Sequence, residues 1–375
     1  MNMKKCAPKI RLSSPWFGDE EIAAVSRVLC SNRISMGNEV KQFECELHSF
    51  FGRKDTNISC VSSCTAAIQL AIQASGFVHG DEILVPTYTF VATFQAITAA
   101  GTRPVPCDID LDDGFINIDD ARSRTTGKTT AILPVLFAGC DGKIGRLQQF
   151  AEDYGLKIIE DAAHSFGDEN ISLRNSILCF SFDAIKNISC GDGGAILTPD
   201  DEIAEKIKDI RLLGVIGDTD RRFNGERSWD FDVTEQGWRY HMNDLSAAIG
   251  RAQLAKFQAI KQIRCSIART YVDRLAHLNH VRLLPINFRT AVPHIFPIII
   301  KNGKRDELKR YLERNGIETG VQYKPNHLLS FFNLGYDLPK AMELYNSILS
   351  IPIHPLLSES DVIFIIECIK KFFYD

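Results

Sequence analysis

A lysine in an otherwise apolar stretch is the first residue of this chain that could do chemistry. Lys186 follows the run from Cys179 to Phe182 and precedes a glycine-rich segment from Gly191 to Gly194. Burial lowers the pKa of a lysine amine, which makes the neutral amine available to form an imine with a carbonyl group. Glycine lets the backbone approach a ligand closely. A lysine after a strand is more often a solvated surface residue, so this feature decides nothing by itself.

An acidic residue lies at the end of another apolar run. Asp161 follows Ile158 and Ile159 and is followed within three positions by His164. Ligands of open α/β sheets bind at the carboxyl ends of the strands. A carboxylate at that edge can pair with a protonated ring nitrogen and keep it charged. The plainer interpretation is a loop carboxylate that caps the next turn.

Small hydroxyl residues open a helical pattern directly after the apolar run from Ile58 to Val61. The segment from Ser62 to Ala67 reads Ser-Ser-Cys-Thr-Ala-Ala. The start of a helix presents free backbone N–H groups and the positive end of the helix dipole, and both favour a phosphate. The alternative is an ordinary Ser/Thr helix cap.

Together, these three features have the order and spacing of a pyridoxal 5'-phosphate (PLP) site. Lys186 would carry the cofactor as a Schiff base, Asp161 would pair with its pyridine nitrogen, and the helix start would bind its phosphate. The distance in sequence between Asp161 and Lys186 is about that of one strand and the connection that returns to it. The combination predicts PLP, although none of the three features does so alone.

Alternating strand and helix patterns between residues 56 and 200 supply the elements that must position these groups. Near-continuous apolar strands suit a sheet that is covered on both faces, and repeated strand–helix–strand order predicts a mostly parallel sheet. The predicted strands are residues 82–85, 104–107, 131–135, 156–159, 178–182 and 194–198. The predicted helices are residues 65–75, 90–100, 144–154 and 201–213.

The last third of the chain has a different pattern. One long helix from Asn243 to about Leu275, capped by Asn243 or Asp244, is expected to link two lobes. Strand patterns at residues 281–284 and 294–300 and helical patterns at 305–315 and 359–373 predict a smaller α+β lobe. We therefore expect an α/β protein with a large domain over residues 1–245. Residues 246–375 would form the linking helix and the smaller C-terminal domain.

The composition restricts the class of protein. The 375 residues are 45% hydrophobic and 24% charged, enough to bury a full core, and the formal net charge of −4 gives no reason to expect nucleic acid or an anionic membrane as a partner. The eleven cysteines are scattered without paired CxxC motifs, which indicates reduced thiols. The N-terminal residues lack the apolar core of a signal peptide, and no apolar stretch could span a bilayer. We expect a cytoplasmic protein.

A metal enzyme and a dinucleotide-binding enzyme are both disfavoured by the motifs. No HExxH or paired CxxC spacing and no GxGxxG fingerprint occurs, so no metal is predicted. Isolated histidines are more often surface or packed residues than ligands; here they are His48, His164, His241, His327 and His354.

With these residues in hand, the chain resembles the DegT/DnrJ/StrS sugar aminotransferases, a branch of the fold-type I (aspartate aminotransferase-like) PLP enzymes. The resemblance runs from Arg11 to about Pro355. The matching segments are Gly80-Asp81-Glu82, residues 85–90, Glu160 to Ala163, Phe180 to Phe182, Lys186-Asn187, Gly193-Gly194, Met242 to Leu245 and Gly320 to Tyr323. The segment between Gly167 and Cys179 is shorter than in the family.

The resemblance implies roles for the site residues. Lys186 would bind the cofactor and move a proton between substrate and cofactor, and Asp161 would hold the pyridine nitrogen protonated. Phe90 would stack on the ring, and His164 would lie near its phenolic oxygen. Thr65, Ala66 and Ser181 would hold the phosphate. The protein would be a homodimer with shared active sites, in which Arg239 or His241 would contact the phosphate of the neighbouring subunit. The substrate would be bound by Tyr323, Lys324 and His327.

The implied reaction is the transfer of an amino group from an amino acid, with L-glutamate as the expected donor, to a nucleotide-linked keto sugar. A 4-keto-6-deoxyhexose is expected, for cell-surface polysaccharide (lipopolysaccharide, O-antigen) or glycoside biosynthesis. Related sugar dehydratases have histidine at the lysine position, so Lys186 argues against that alternative. A non-catalytic regulatory protein on the same scaffold is the other alternative, and the retained lysine and aspartate argue against it.

Overall fold

A seven-stranded sheet forms the centre of the larger lobe in the computed structural model, which describes residues 10–53, 55–140, 142, 144–168, 176–226 and 228–374. Its strands are β1 (Asn57–Val61), β2 (Glu82–Pro86), β3 (Arg103–Cys107), β4 (Thr129–Ile132), β5 (Lys157–Asp161), β6 (Ser176–Ser181) and β7 (Gly194–Thr198). They are ordered β1-β7-β6-β5-β4-β2-β3, and only β7 runs antiparallel to its neighbours. The predicted mostly parallel sheet is confirmed. Residues 169–175, within the segment that the sequence analysis predicts to be shortened, lie outside the described residues.

Helices cover both faces of this sheet. They are α1 (Asp19–Cys30), α2 (Asn38–Phe51), α3 (Cys64–Ala74), α4 (Val91–Ala99), α5 (Ile118–Arg124), α6 (Ile144–Tyr154), α7 (Asp201–Ile210) and α8 (Asp218–Phe223). Side chains alternate across each strand, so Leu84 of β2 packs into one apolar core while Ile83 and Val85 pack into the other. Two buried faces explain why the strands read as continuous apolar runs.

The sequence analysis expected one linking helix, but the structure has two, so that prediction was wrong. The structure has α9 (Asp244–Ala255) and α10 (Phe257–Leu275), separated at Lys256, whose φ of −100° and ψ of 9° depart from helical values. The cap was predicted correctly: the Asn243 side chain accepts from the Ser246 N–H at 2.9 Å. The break lets α9 pack on α1 and α2 while α10 packs on a helix of the smaller lobe. Apolar periodicity alone does not register such a break.

The smaller lobe is built on a three-stranded antiparallel sheet. It contains β8 (Val281–Leu283), β9 (Phe296–Ile300) and β10 (Ile348–Ile351), in the order β10-β9-β8, with α11 (Arg305–Arg314), α12 (Pro339–Ser347) and α13 (Glu359–Tyr374). Ile10 pairs with Ile317 and packs in the core of this lobe. The N-terminal segment therefore contacts the smaller lobe, and the division at residue 245 stays a prediction.

The two lobes meet through a mixed apolar and polar contact. Tyr88 from the larger lobe shares a buried cluster with Ile295 from the smaller one, and its hydroxyl donates to the Gln322 carbonyl at 2.6 Å. The Asp108 carboxylate accepts from the Ala341 N–H at 2.8 Å and so caps the start of α12. These contacts fix the smaller lobe over the carboxyl ends of β2 and β3. Within the described residues, no helix is long and apolar enough to cross a membrane.

Candidate active site

Asp161 occupies the carboxyl end of β5, as expected from the sequence. One of its oxygens accepts from the Thr93 hydroxyl at 2.8 Å, and the other accepts from the Ala163 N–H at 3.1 Å. The Cys64 thiol lies 4.0 Å from the second oxygen. Among the described residues, no cation forms an ion pair with this buried carboxylate. The carboxylate is thus oriented by neutral donors and lacks the charged partner that a buried carboxylate requires.

Lys186 lies on the loop after β6, within electrostatic range of Asp161. Burial lowers the pKa of the Lys186 amine, and the opposing effects come from Asp161, Cys64 and Asp183. Burial likewise raises the pKa of Asp161, against the opposing effects of Thr93, Ala163 and Lys186. The site therefore has the properties that imine chemistry requires, namely a lysine amine that loses its proton more easily and an acidic group nearby.

A histidine that the sequence analysis did not select contacts this lysine. His294, which precedes β9, places its Nε2 3.3 Å from Lys186 Nζ. The neighbouring Asn187 side chain donates to the carbonyls of Phe166 and Val292, each at 3.0 Å. The loop that carries Lys186 is thereby tied to the segment of the smaller lobe that carries His294.

His164 and Tyr323 form the next wall of the site. His164 Nδ1 accepts from the Ala138 N–H at 3.3 Å, and its Nε2 is 3.0 Å from the Tyr323 hydroxyl. Because Nδ1 is an acceptor, Nε2 carries the proton and donates it to the tyrosine oxygen. Burial, assisted by the charge of Lys186, lowers the pKa of His164 well below its ordinary value, so the ring is neutral. The Tyr323 hydroxyl keeps its own proton to donate toward the site.

Phe90 lies beside Tyr323, on the exposed side of these residues. It caps the start of α4, its side chain is 56% exposed, and its ring centroid is 5.5 Å from that of Tyr323. Thr93, which holds Asp161, is three residues later and so on the same face of the helix. The start of α4 therefore places an aromatic ring beside Tyr323 and a hydrogen-bond partner on Asp161, which suits a planar ring stacked on Phe90.

The hydroxyl residues predicted to bind phosphate converge at one edge of the sheet. The Ser63 side chain caps α3 by accepting from the Ala66 N–H at 3.1 Å, and Thr65 lies in the first turn. Gly194 pairs with Val61 on one side and with Ser181 on the other. A Cβ at Gly194 would lie 2.6 Å from the Ser63 carbonyl carbon, so only glycine lets β7 approach the helix start this closely.

Arg239 and His241 lie on the segment that runs beside the start of α3. His241 pairs with Val61, and the Tyr240 carbonyl accepts from the Ser62 N–H at 2.6 Å. Arg239 is exposed. Burial, reinforced by Arg222 and Arg239, lowers the pKa of His241 to about 4, so this histidine is neutral near pH 7. Of the two expected phosphate partners, only the arginine carries a charge.

Lys324 and His327 are placed differently from each other. Lys324 is exposed beside Tyr323. His327 is buried, and its Nδ1 is 2.8 Å from the Thr87 hydroxyl. Burial lowers the pKa of His327. His327 is a neutral side chain that ties the 3-10 turn Asn326–Leu328 to Thr87, and its expected role in binding substrate stays a prediction.

Thr93 and His294 are the two residues of the site that the sequence analysis missed. Thr93 had a local signal, since it follows Phe90 by three positions in a helical pattern. His294 had none, because it meets Lys186 only through the packing of the two lobes. Among the described residues, no three metal-ligating side chains are grouped closely enough to hold an ion.

The arrangement fits PLP. The buried, unpaired Asp161 carboxylate matches a protonated pyridine nitrogen, and the exposed face of Phe90 matches the ring. The close approach of Gly194 to the start of α3 leaves a backbone cradle for phosphate beside Ser181. Lys186 would attach to the aldehyde carbon.

Comparison with known proteins gives the same result along nearly the whole chain. The model of the DegT/DnrJ/EryC1/StrS aminotransferase family matches residues 15–370. The uncharacterized protein MJ1066 of Methanocaldococcus jannaschii is 35% identical over 373 residues, covering 95% of this chain and 96% of that protein.

Solved structures with the same architecture are also similar. The aminotransferase TlmJ of Streptoalloteichus hindustanus is 28% identical with a TM-score of 0.89, covering 97% of this chain and 98% of its own. The putative sugar aminotransferase Spr1654 of Streptococcus pneumoniae, in its PMP form, is 28% identical with a TM-score of 0.88 and 96% coverage of both chains. The predicted fold-type I architecture and family are thereby confirmed.

Proposed function

The chain belongs to the DegT/DnrJ/EryC1/StrS aminotransferase family, and on that premise we propose that it transfers an amino group from L-glutamate to a nucleotide-linked keto sugar. The proposed acceptor is a 4-keto-6-deoxyhexose. The observation that carries the proposal is the placement of the buried Lys186 amine within electrostatic range of the buried, unpaired Asp161 carboxylate, at adjacent strand ends. A similar structure, Spr1654, has been solved in both its PLP and PMP forms.

Bound PLP supplies a ring that withdraws electrons and a carbon that takes up and releases the amino group. Asp161 keeps a proton on the pyridine nitrogen, and Thr93 aims the carboxylate at it. The Lys186 amine would take a proton from the substrate carbon and deliver it to the cofactor carbon. His164 and Tyr323 present a neutral hydrogen-bond donor beside the ring.

The direct test is mass spectrometry of the purified enzyme with glutamate and a panel of nucleotide-linked 4-keto and 3-keto sugars. The proposal expects one sugar to gain nitrogen and glutamate to become 2-oxoglutarate. A sugar that loses a hydroxyl instead would favour the dehydratase alternative. A chain that binds no PLP and converts no sugar would favour the regulatory alternative.

The proposed active form is a homodimer that shares its active sites. An exposed apolar patch lies beside the phosphate end of the site and consists of Leu213, Ile216, Trp229, Phe231 and Val233. Trp229 is 90% exposed, and it lines a cleft together with Arg239 and His241. A patch of this kind marks an interaction surface. A second copy on it would bring Arg239 next to the neighbouring phosphate.

Trp229→Asp is expected to shift the protein toward monomer, because it buries a charge in the proposed interface. Sedimentation velocity across a concentration series measures the shift, and activity should fall with the dimer fraction. Val78→Asp, at another exposed apolar residue, on the loop between α3 and β2, is the matched control. An active monomer of the unchanged protein would refute the shared site.

Lys324→Ala is expected to raise the KM for the nucleotide sugar about fivefold, as for an exposed charge contact of about 1 kcal/mol. The half-reaction with glutamate should change much less, because glutamate carries no diphosphate and the two substrates occupy the site in turn. Rapid-mixing kinetics of each half-reaction separates the two effects.

Lys157→Ala is the matched control for Lys324, since Lys157 is an exposed lysine at the opposite end of β5 from Asp161. It should leave both half-reactions unchanged. Equal damage to both half-reactions in Lys324→Ala would indicate a defect in folding or cofactor binding and would count against a role in binding sugar.

The proposed setting is the cytoplasm, in the synthesis of a cell-surface polysaccharide such as lipopolysaccharide with its O-antigen, or of a glycoside. Support for a reducing compartment comes from the ten described cysteines, which are all free thiols; eight of them are buried or partly buried.

A further inference from the structure

His294 is a buried histidine whose only side-chain hydrogen bond within the described residues is to Lys186. The distance from His294 Nε2 to Lys186 Nζ is 3.3 Å, and the histidine is 1% exposed. Its Nδ1 has no partner among the residues that the structure describes. Buried polar groups normally have hydrogen-bond partners. A buried histidine whose Nδ1 has none therefore indicates a role for Nε2, the nitrogen that contacts Lys186.

The backbone around His294 is held rigidly. Arg264, buried on α10, donates through one nitrogen to the carbonyls of Pro293 at 3.2 Å, of His294 at 3.3 Å and of Ile353 at 3.1 Å. From the other side, Asn187 binds the Val292 carbonyl. The segments that carry the histidine and the lysine are therefore fixed relative to each other, one from each lobe.

The charges around His294 keep its ring neutral. The ring centroid of His164 is 4.6 Å away. Burial lowers the pKa of His294 well below its ordinary value, and Lys186, His164 and Arg264 lower it further. A neutral imidazole has one nitrogen free to accept. The Lys186 amine and His294 Nε2 share one hydrogen bond, in which a protonated amine donates and a neutral amine either donates to Nε2 or accepts from it.

We propose that His294 is a positioning residue for Lys186, and that its Nε2 holds the lysine amine whenever the lysine is not bonded to the cofactor. The proposal rests on the proposed function, in which Lys186 carries PLP. A lysine side chain has four rotatable bonds, so an amine without a partner would spend much of its time away from the reacting carbon. Misplacement of a catalytic group by about 1 Å can cost about 100-fold in rate.

The test compares three full-length variants with the unchanged protein. His294→Gln keeps a polar atom near the position of Nε2, whereas His294→Asn keeps one only near Nδ1. His354→Asn is the matched control, because His354 is also buried beside the Arg264 contacts but bonds the Arg11 carbonyl instead of the lysine. Each cofactor-free protein is mixed with PLP, quenched with borohydride at timed intervals, and analysed for label on Lys186.

His294→Asn is expected to slow attachment of PLP to Lys186 by about 10- to 100-fold, with equal slowing of both half-reactions. The equilibrium affinity for PLP and the thermal unfolding midpoint should match those of His354→Asn. His294→Gln should recover most of the rate.

Wild-type attachment rates in His294→Asn would overturn the proposal. A slowed attachment that His294→Gln fails to restore would also overturn it, and so would an equal slowing in His354→Asn. Either result would point to an effect on packing. Failure of the unchanged protein to take up label on Lys186 would instead overturn the proposed function, so the two failures are distinguishable.

Discussion

Lys186→Ala is expected to abolish transamination, with a loss of more than about 10⁴-fold. The substitution removes both the anchor for the cofactor and the amine that moves the proton, and each function alone is worth orders of magnitude. Lys186→Arg should be equally inactive, because a guanidinium keeps the charge but stays protonated and cannot form the linkage. Steady-state assays with glutamate and the identified keto sugar measure the loss.

The same experiment has a chemical readout that does not depend on turnover. Purified unchanged protein should absorb visible light through its linked cofactor, and borohydride should fix that cofactor onto Lys186. Peptide mapping of Lys157→Ala should find the same label, whereas neither Lys186 variant should carry it. A label on any other lysine would disprove the assignment of Lys186.

Asp161→Ala is expected to lower turnover by about 10³-fold while the fold survives. The substitution removes the anion that keeps the pyridine nitrogen protonated, so the ring becomes a poorer acceptor of electrons; losses of this size follow removal of a preorganised electrostatic partner. Thr93→Val should give a smaller loss of about tenfold, because the carboxylate remains but loses one of the hydrogen bonds that aim it.

Glu160→Gln is the matched control for Asp161. Glu160 is the preceding residue on β5 and is also buried, but strand alternation points it to the opposite face, and burial raises its pKa to about 7. Half-reaction rates of this variant should stay near those of the unchanged protein. Near-normal rates in Asp161→Ala, with unchanged circular dichroism, would show that the carboxylate has another role.

Much of the candidate site was predictable because its parts lie at the ends of local patterns. Asp161 closes an apolar strand, Lys186 follows the next strand along the chain, and Ser63 opens a helix. In a parallel sheet the carboxyl ends of neighbouring strands share one edge, so the order of elements alone brings such residues together. The Gly194 position agrees with this, since the sheet requires a residue without a side chain there.

Errors arose where the local pattern was compatible with more than one tertiary arrangement. The apolar periodicity from Asn243 to Leu275 continues across Lys256, yet the structure breaks the helix there because its two halves pack on different lobes. The contact between His327 and Thr87, made across 240 positions of sequence, was likewise not foreseen. Residue type alone does not reveal such a contact.

The amino-acid sequence by itself determined the sheet, the family, and the lysine and aspartate of the proposed cofactor site. These depend on burial patterns and strand order, which short stretches of sequence specify. Only the tertiary structure decided which side chains surround them. Lys186 meets His294 across 108 positions, and His164 meets Tyr323 across 159. Those contacts depend on how the smaller lobe is seated against the larger one, and that seating results from the joint packing of many residues that no local pattern specifies.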